Sequence, residues 1–235
     1  ERLLAPEDGG RDRLTGPFSA LWFCVFIIPF FLFVPDRRAT KAPLHSERSA
    51  TAELWDTIKS LPSMPSLMIF LIARMIYTDG LTAIFAFGGI YGAAVFHWGP
   101  TELGIFGIAL TLVGALGALL GGRLDDKFGA KAVIVGSLLI LLIASAGILS
   151  VDKTHVLYTL EVPEKIAGSA PFSGVGEKVF LAFAIIVGVV AAPVQAASRS
   201  LLARLAPADK ITQFFGLFAF SGRATTLFAT ALVAV

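Results

Sequence analysis

Apolar residues in this chain come in long unbroken blocks, not at the 3.6- or 2-residue spacing of half-buried elements. The first, residues 18–34, reads FSALWFCVFIIPFFLFV and carries no charge. Five more follow, at about 67–95, 103–121, 132–151, 179–198 and 214–235. An α-helix rises 1.5 Å per residue, so about 20 mostly apolar residues cross a hydrocarbon layer about 30 Å thick. A buried strand or soluble core helix would be shorter and would show polar positions at a regular period. Blocks that are apolar all round suit lipid, where a helix satisfies its own backbone. The pattern predicts an all-α polytopic membrane helix bundle of about six transmembrane helices.

Composition agrees. Charged residues make up 15% of the 235 positions, against roughly 25% in soluble domains. A disordered tail, a collagen-like rod and a disulfide scaffold are excluded. A formal charge of +2 gives no reason to expect a nucleic-acid partner. The single Cys24 cannot form an intramolecular disulfide. Arg11 and Arg13 precede the first block as in a signal peptide. The run is too long for one, however, and Pro35-Asp36-Arg37-Arg38 follows it instead of a small-residue cleavage site.

The polar connections set orientation and domains. Residues 35–64 hold five Lys or Arg, 122–131 hold three and 199–212 hold three; the alternate connections hold six in all. The positive-inside rule places the richer set in the cytoplasm. The expected organisation is an outer-side segment 1–17, a transmembrane helix 18–34, a cytoplasmic connecting loop 35–64, and a bundle 65–235 cut short at its C-terminal end. The chain starts at Glu1 and stops in an apolar run, so it reads as a piece of a longer protein. In the outer connection 152–178, the alternating stretch HVLYTLEV (155–162) suggests a short hairpin.

Between the third and fourth blocks stands GGRLDDKFGAK (121–131). Gly121 and Gly122 allow close helix approach or a sharp exit, Asp126 is placed to cap the next helix, Gly129 supplies a turn, and Lys131 anchors the fourth span. The pattern formed by Gly122, Leu124, Asp126, Lys127, Gly129 and Lys131 resembles the signature loop of the major facilitator superfamily, which joins the second and third helices of each six-helix half. The resemblance implies that the spans are helices six to eleven of a twelve-helix fold, that residues 35–64 link the two halves, and that the N-terminal half of the chain is missing here. A finer likeness lies in ARMIYTDGLTAIFAFGGIYG (73–92), QAASRSLLARLAP (195–207) and FFGLFAFSGRATT (214–226). These segments resemble the vacuole effluxer family, autophagy-type, and its bacterial relatives, over about residues 67–226.

Charged residues inside the spans are the candidates for chemistry. Arg74 lies roughly 10 Å into the second span and Asp79 about 18 Å in. Each costs about 2.5–3.5 kcal/mol at a helix centre on insertion scales. Five residues apart, they point about 140° from each other and are poor mutual partners. Tyr77 lies on the Arg74 side, and Gly80 is placed to loosen the helix beside Asp79. Arg223 enters the last span to roughly 14 Å, a depth near that of Asp79, and a pairing of the two across a polar cavity is expected. Gln195 either bonds between helices or touches solute; Pro193 is expected to kink its span, and Arg199 and Arg204 to anchor it. The stripe Gly107, Thr111, Gly114, Ala118 and Gly122, with the pairs Gly117/Gly121 and Gly88/Gly92, reads as helix packing. No hydrolase, metalloprotease or P-loop motif is present, and the three His residues have no metal-ligand spacing.

The expected function is secondary active transport of a small solute by alternating access, with no enzyme activity and no cofactor. Arg74 or Arg223 would receive an anionic group and Asp79 would be the proton- or cation-linked carboxylate. The resemblance adds amino-acid efflux as the candidate activity, in a bacterial inner membrane or, for a eukaryotic chain, a vacuolar membrane. Expected partners are the lipid bilayer, the solute and the missing half. A non-transporting receptor or assembly subunit on the same scaffold is the alternative.

Overall fold

In the computed structural model, residues 10–34, 50–163, 165 and 170–224 are described. They belong to two units, Glu1–Ser49 and Ala50–Val235.

The first unit contributes α1, Gly10–Phe33, with Pro17 and Pro29 inside it. Its window Thr15–Phe33 has no buried residue. Phe18, Trp22 and Phe26 stack along one side, with ring centroids 6.1 and 4.9 Å apart, the spacing of side chains four apart on a helix. Apolar rings left open on every side are what lipid covers.

The second unit begins with α2, Ala50–Ser60, which lies within the stretch read as a connecting loop. A 3-10 turn, Leu61–Ser63, leads into α3, Pro65–Phe96. Then come α4, Pro100–Phe128, and α5, Ala130–Leu149. A hairpin pairs His155–Val156 (β1) with Leu160–Glu161 (β2), antiparallel, as the alternation of 155–162 predicts. Helices α6, Val175–Leu205, and α7, Ile211–Ala224, complete the described elements. Five helices among the described residues are long and apolar enough to span a membrane. The sixth block is described only as far as α7, and the rest of it lies outside the described residues.

Several boundaries differ from those read in the sequence. Residues 122–131 are not a loop: α4 continues through Arg123, Asp125 and Asp126 to Phe128, and Gly129 alone links it to α5. Helical propensity is a weak preference, and here packing carries the helix past the lipid edge, where hydropathy reads a loop. Asp126 therefore sits in the last turn of α4 and does not cap α5. Gly129, at φ +82°, makes the reversal that a side chain would strain. Helix α3 runs unbroken through Gly80, and α6 through Pro193.

Packing centres on α6, flanked by α4 and α5. The close approach uses Gly117 and Gly121: a Cβ on Gly117 would collide with the Val189 backbone, and one on Gly121 would lie 2.8 Å from Pro193 Cα. The register is thus not that of the longer predicted stripe. Gly107 and Gly122 face open space, and Gly114 makes only ordinary contact with Gly188 O. One buried cluster gathers Leu67 at the start of α3, Ala130 at the start of α5, Leu202 near the end of α6, and Phe214 near the start of α7. These ends therefore share one end of the unit, the one bearing the basic connections. A second cluster fills the middle, and a third, with Trp98, Phe106, Val151 and Phe180, closes the opposite end.

That opposite end holds a knot the sequence does not announce. Glu177, 2% exposed, accepts bonds from Trp98 Nε1 at 2.9 Å, Lys165 Nζ at 3.0 Å and the Gly174 N–H at 3.0 Å. Glu102 closes the N-terminus of α4 similarly, accepting from the Gly99 N–H at 3.1 Å. Each carboxylate satisfies a free helix donor and meets the positive end of the helix dipole.

Candidate solute pathway

The face of α3 that turns toward α6 carries Arg74, Tyr77, Thr78, Leu81, Thr82 and Phe85, spaced so that each falls within one helical stripe. Opposite stand Gln195, Ser198 and Arg199 of α6 and Phe218 of α7. Together they line a cavity of about 130 Å³. Its walls mix two guanidiniums, a phenol, three hydroxyls and an amide within a bundle otherwise made of hydrocarbon. Such groups are costly at membrane depth and gather where they meet each other, water or a solute.

Arg74 reaches across to α7. Its Nη1 donates to Phe218 O at 2.5 Å and to Ser221 Oγ at 2.9 Å, and the guanidinium lies 3.3 Å from the Phe218 ring centroid. These bonds to a backbone carbonyl and a π-face hold the cation without neutralising it. Gly222 makes room for it, since a Cβ there would stand 3.0 Å from Nη1. Tyr77 Oη and Ser198 Oγ share a hydrogen bond at 2.5 Å, and Ser198 Oγ also lies 2.5 Å from Val194 O. If the serine donates to that carbonyl, the phenol donates to the serine, and the chain of bonds ends on the α6 backbone.

Of the residues picked out in the sequence, Arg74, Tyr77 and Gln195 come together in this cavity. Asp79 does not line it. One carboxylate oxygen of Asp79 is buried and has no hydrogen-bond partner among the described residues. Arg223 lies on the last turn of α7, and its side chain is outside the described ones. Thr78, Ser198 and Arg199 were not read as site residues. Hydroxyls do not stand out in an apolar run, and the depth of Arg199 alone predicts an anchor at the membrane face. Arg204 pairs with Asp125, 3.4 Å apart, so the engaged aspartate of the loop motif is Asp125 and not its neighbour Asp126. Gly122, Leu124, Asp126 and Lys127 are exposed on the last turns of α4, Gly129 forms the turn, and Lys131 is exposed on the first turn of α5.

A second cavity, about 720 Å³, adjoins the first. It runs between α3, α4 and α6 toward Leu103 and Ala93, and most of its wall is carbon. Gly107, Thr111 and Gly114, part of the predicted packing stripe, line it instead of holding helices together.

A bundle of helices long and apolar enough to cross a membrane defines a multi-pass integral membrane protein. The chain belongs to the vacuole effluxer Atg22-like family, whose model matches residues 13–235. It is 24% identical, over 95% of its own length and 47% of the relative's, to the uncharacterized MFS-type transporter YxiO of Bacillus subtilis. It is also 24% identical, over 94% of its length and 38% of the relative's, to autophagy-related protein 22 of Cryptococcus neoformans. A second Bacillus subtilis protein, the uncharacterized MFS-type transporter YceJ, is 27% identical over 53% of the chain and 31% of its own length. The chain thus spans half or less of these curated relatives. No solved structure matches it.

Proposed function

We propose that this bundle carries one half of the solute pathway of a secondary active transporter, with alternating access as its mechanism and amino-acid efflux as its activity. The observation that carries the reading is the convergence of Arg74, Tyr77, Gln195, Ser198 and Arg199 on one cavity inside an apolar bundle. Two guanidiniums sharing a small chamber repel each other, and a carboxylate between them relieves that repulsion. Arg74 already contacts both α3 and α7, so a solute drawing on its charge biases how those helices sit together. That gives the solute a differential interaction with the two states of a rocking bundle. Asp79, at a depth where an unpaired carboxylate is costly, is assigned the coupling proton or cation, with Arg223 as its candidate partner across the pathway. The turn at Gly129 belongs to the cytoplasmic side in this scheme, and the remainder of the central site comes from the other six helices of the full-length protein.

Uptake of labelled amino acids by the full-length protein in proteoliposomes tests the reading. Wild-type protein is expected to accumulate a substrate under a proton or cation gradient. Arg74→Gln should lower flux by about a hundredfold, the loss expected when a charge-assisted contact to a bound anion is removed. Asp79→Asn should abolish gradient dependence while leaving exchange. Absence of flux with every amino acid, under every gradient, would favour the non-transporting receptor.

A further inference from the structure

We propose that Phe85 of α3 and Gln195 of α6 form a size-selecting constriction dividing the pathway into two chambers. The inference builds on the transport reading but stands on a separate piece of geometry. Phe85 and Gln195 line both the 130 Å³ cavity and the 720 Å³ cavity. A side chain that walls two adjoining spaces stands on their boundary, and here the boundary is approached from two different helices.

The chambers differ in chemistry. On one side lie Arg74, Arg199, Tyr77 and Ser198; on the other the wall is nearly all hydrocarbon. Along α6 the wide chamber is lined by Gly188, Ala191 and Ala192. The next residue on that stripe is the long amide of Gln195, so a longer side chain enters the wall where the polarity changes. Phe85 is 43% exposed, so neither its ring nor the amide, which is also exposed, is fixed by close packing. On this half of the pathway the passage is therefore bounded by two side chains and adjustable by either. A solute passes from the cationic chamber to the apolar one only if its bulk clears that pair.

Thiol labelling of the full-length protein in proteoliposomes tests this without a known substrate. All native cysteines are replaced, including Cys24→Ser, and Thr111→Cys supplies one reporter in the wide chamber. Two membrane-impermeant anionic thiol reagents, sulfonatoethyl methanethiosulfonate and the far bulkier fluorescein maleimide, are added only at the face bearing Gly129. The small reagent should reach the reporter. The bulky one should react far more slowly, after correction for intrinsic reactivity. Phe85→Ala, and more weakly Gln195→Ala, should raise the bulky reagent's rate about tenfold, as expected for a few methylenes of steric exclusion. The small reagent's rate should stay unchanged. Exclusion of both reagents, equal access with Phe85 intact, or a size ratio unmoved by Phe85→Ala would overturn the constriction. In the same vesicles, the expected labelling without any amino-acid flux would instead remove the transport reading and leave the constriction standing.

Discussion

At the residue scale, a half-buried cation and a buried carboxylate solve the same problem in different ways. Arg74 takes a carbonyl, a hydroxyl and a ring from α7, which engages Nη1 and keeps its positive charge available. Glu177 takes an indole, an ammonium and a backbone N–H, which satisfies the carboxylate and leaves nothing for a ligand. Glu177 should therefore matter to stability and Arg74 to function. Glu177→Ala strips three donors of their acceptor in a buried place and should cost about 3 kcal/mol. Glu102→Ala loses the capping bond to Gly99 N, and about 1 kcal/mol is expected. Thermal unfolding of the detergent-solubilised protein, followed by tryptophan fluorescence, would show Glu177→Ala melting several degrees below Glu102→Ala; equal melting temperatures would contradict the ranking. Arg74 was legible in the sequence because a lone cation stands out in an apolar run. Glu177 was not: among Lys153, Lys165, Lys178 and Glu164 it reads as one more charge in a polar connection. Only the fold, which brings Trp98, Lys165 and Gly174 to its carboxylate, shows that it is buried.

At the element scale, hydropathy finds helices by their lipid-facing length and misses what extends beyond the lipid. The spans were legible because lipid requires a continuous apolar surface. The last turns of α4 were not, since Asp125 and Asp126 are weak helix formers and tertiary context overrides that preference. The amphipathic α2 was likewise hidden inside a polar stretch. Its buried Thr57 donates to Gln213 Oε1 of α7 at 2.8 Å. The small residues of α4 were legible as a packing motif but not in their register, because the 3- and 4-residue spacings of Gly107, Gly114, Gly117, Gly121 and Gly122 leave more than one stripe open. The structure separates them. At Gly117 a methyl group meets the Val189 backbone, which cannot rotate aside, whereas at Gly107 and Gly122 it meets open space. Gly117→Ala should therefore cost about 1–3 kcal/mol by forcing α4 from α6. Gly107→Ala and Gly122→Ala should be neutral or slightly stabilising, since alanine favours a helix. Melting temperatures of the three variants decide between the registers, and a destabilised Gly122→Ala beside an unaffected Gly117→Ala would refute the packing described.

At the scale of the whole molecule, the distribution of charge makes a claim about topology that lipid enforces. Within the second unit, the starts of α3, α5 and α7 and the end of α6 meet in one buried cluster, so Arg123, Lys127, Lys131, Arg204 and Lys210 gather near one end. The other end carries the hairpin, with Tyr158 72% exposed between its strands. Basic residues near span ends are retained on the cytoplasmic side during insertion, and on that ground we propose that the Gly129 turn faces the cytoplasm and the hairpin the opposite side. Lys127 and Tyr158 are both exposed, so each tolerates a reporter cysteine without disturbing a packed contact. In sealed cells expressing the full-length protein without other cysteines, an impermeant maleimide should label Tyr158→Cys before lysis and Lys127→Cys only after it. The reverse pattern would invert the bundle in the membrane. Labelling of both before lysis would mean that the two ends do not lie on opposite sides of a bilayer, and an alternating-access pathway through Arg74, Phe85 and Gln195 would then have nothing to cross.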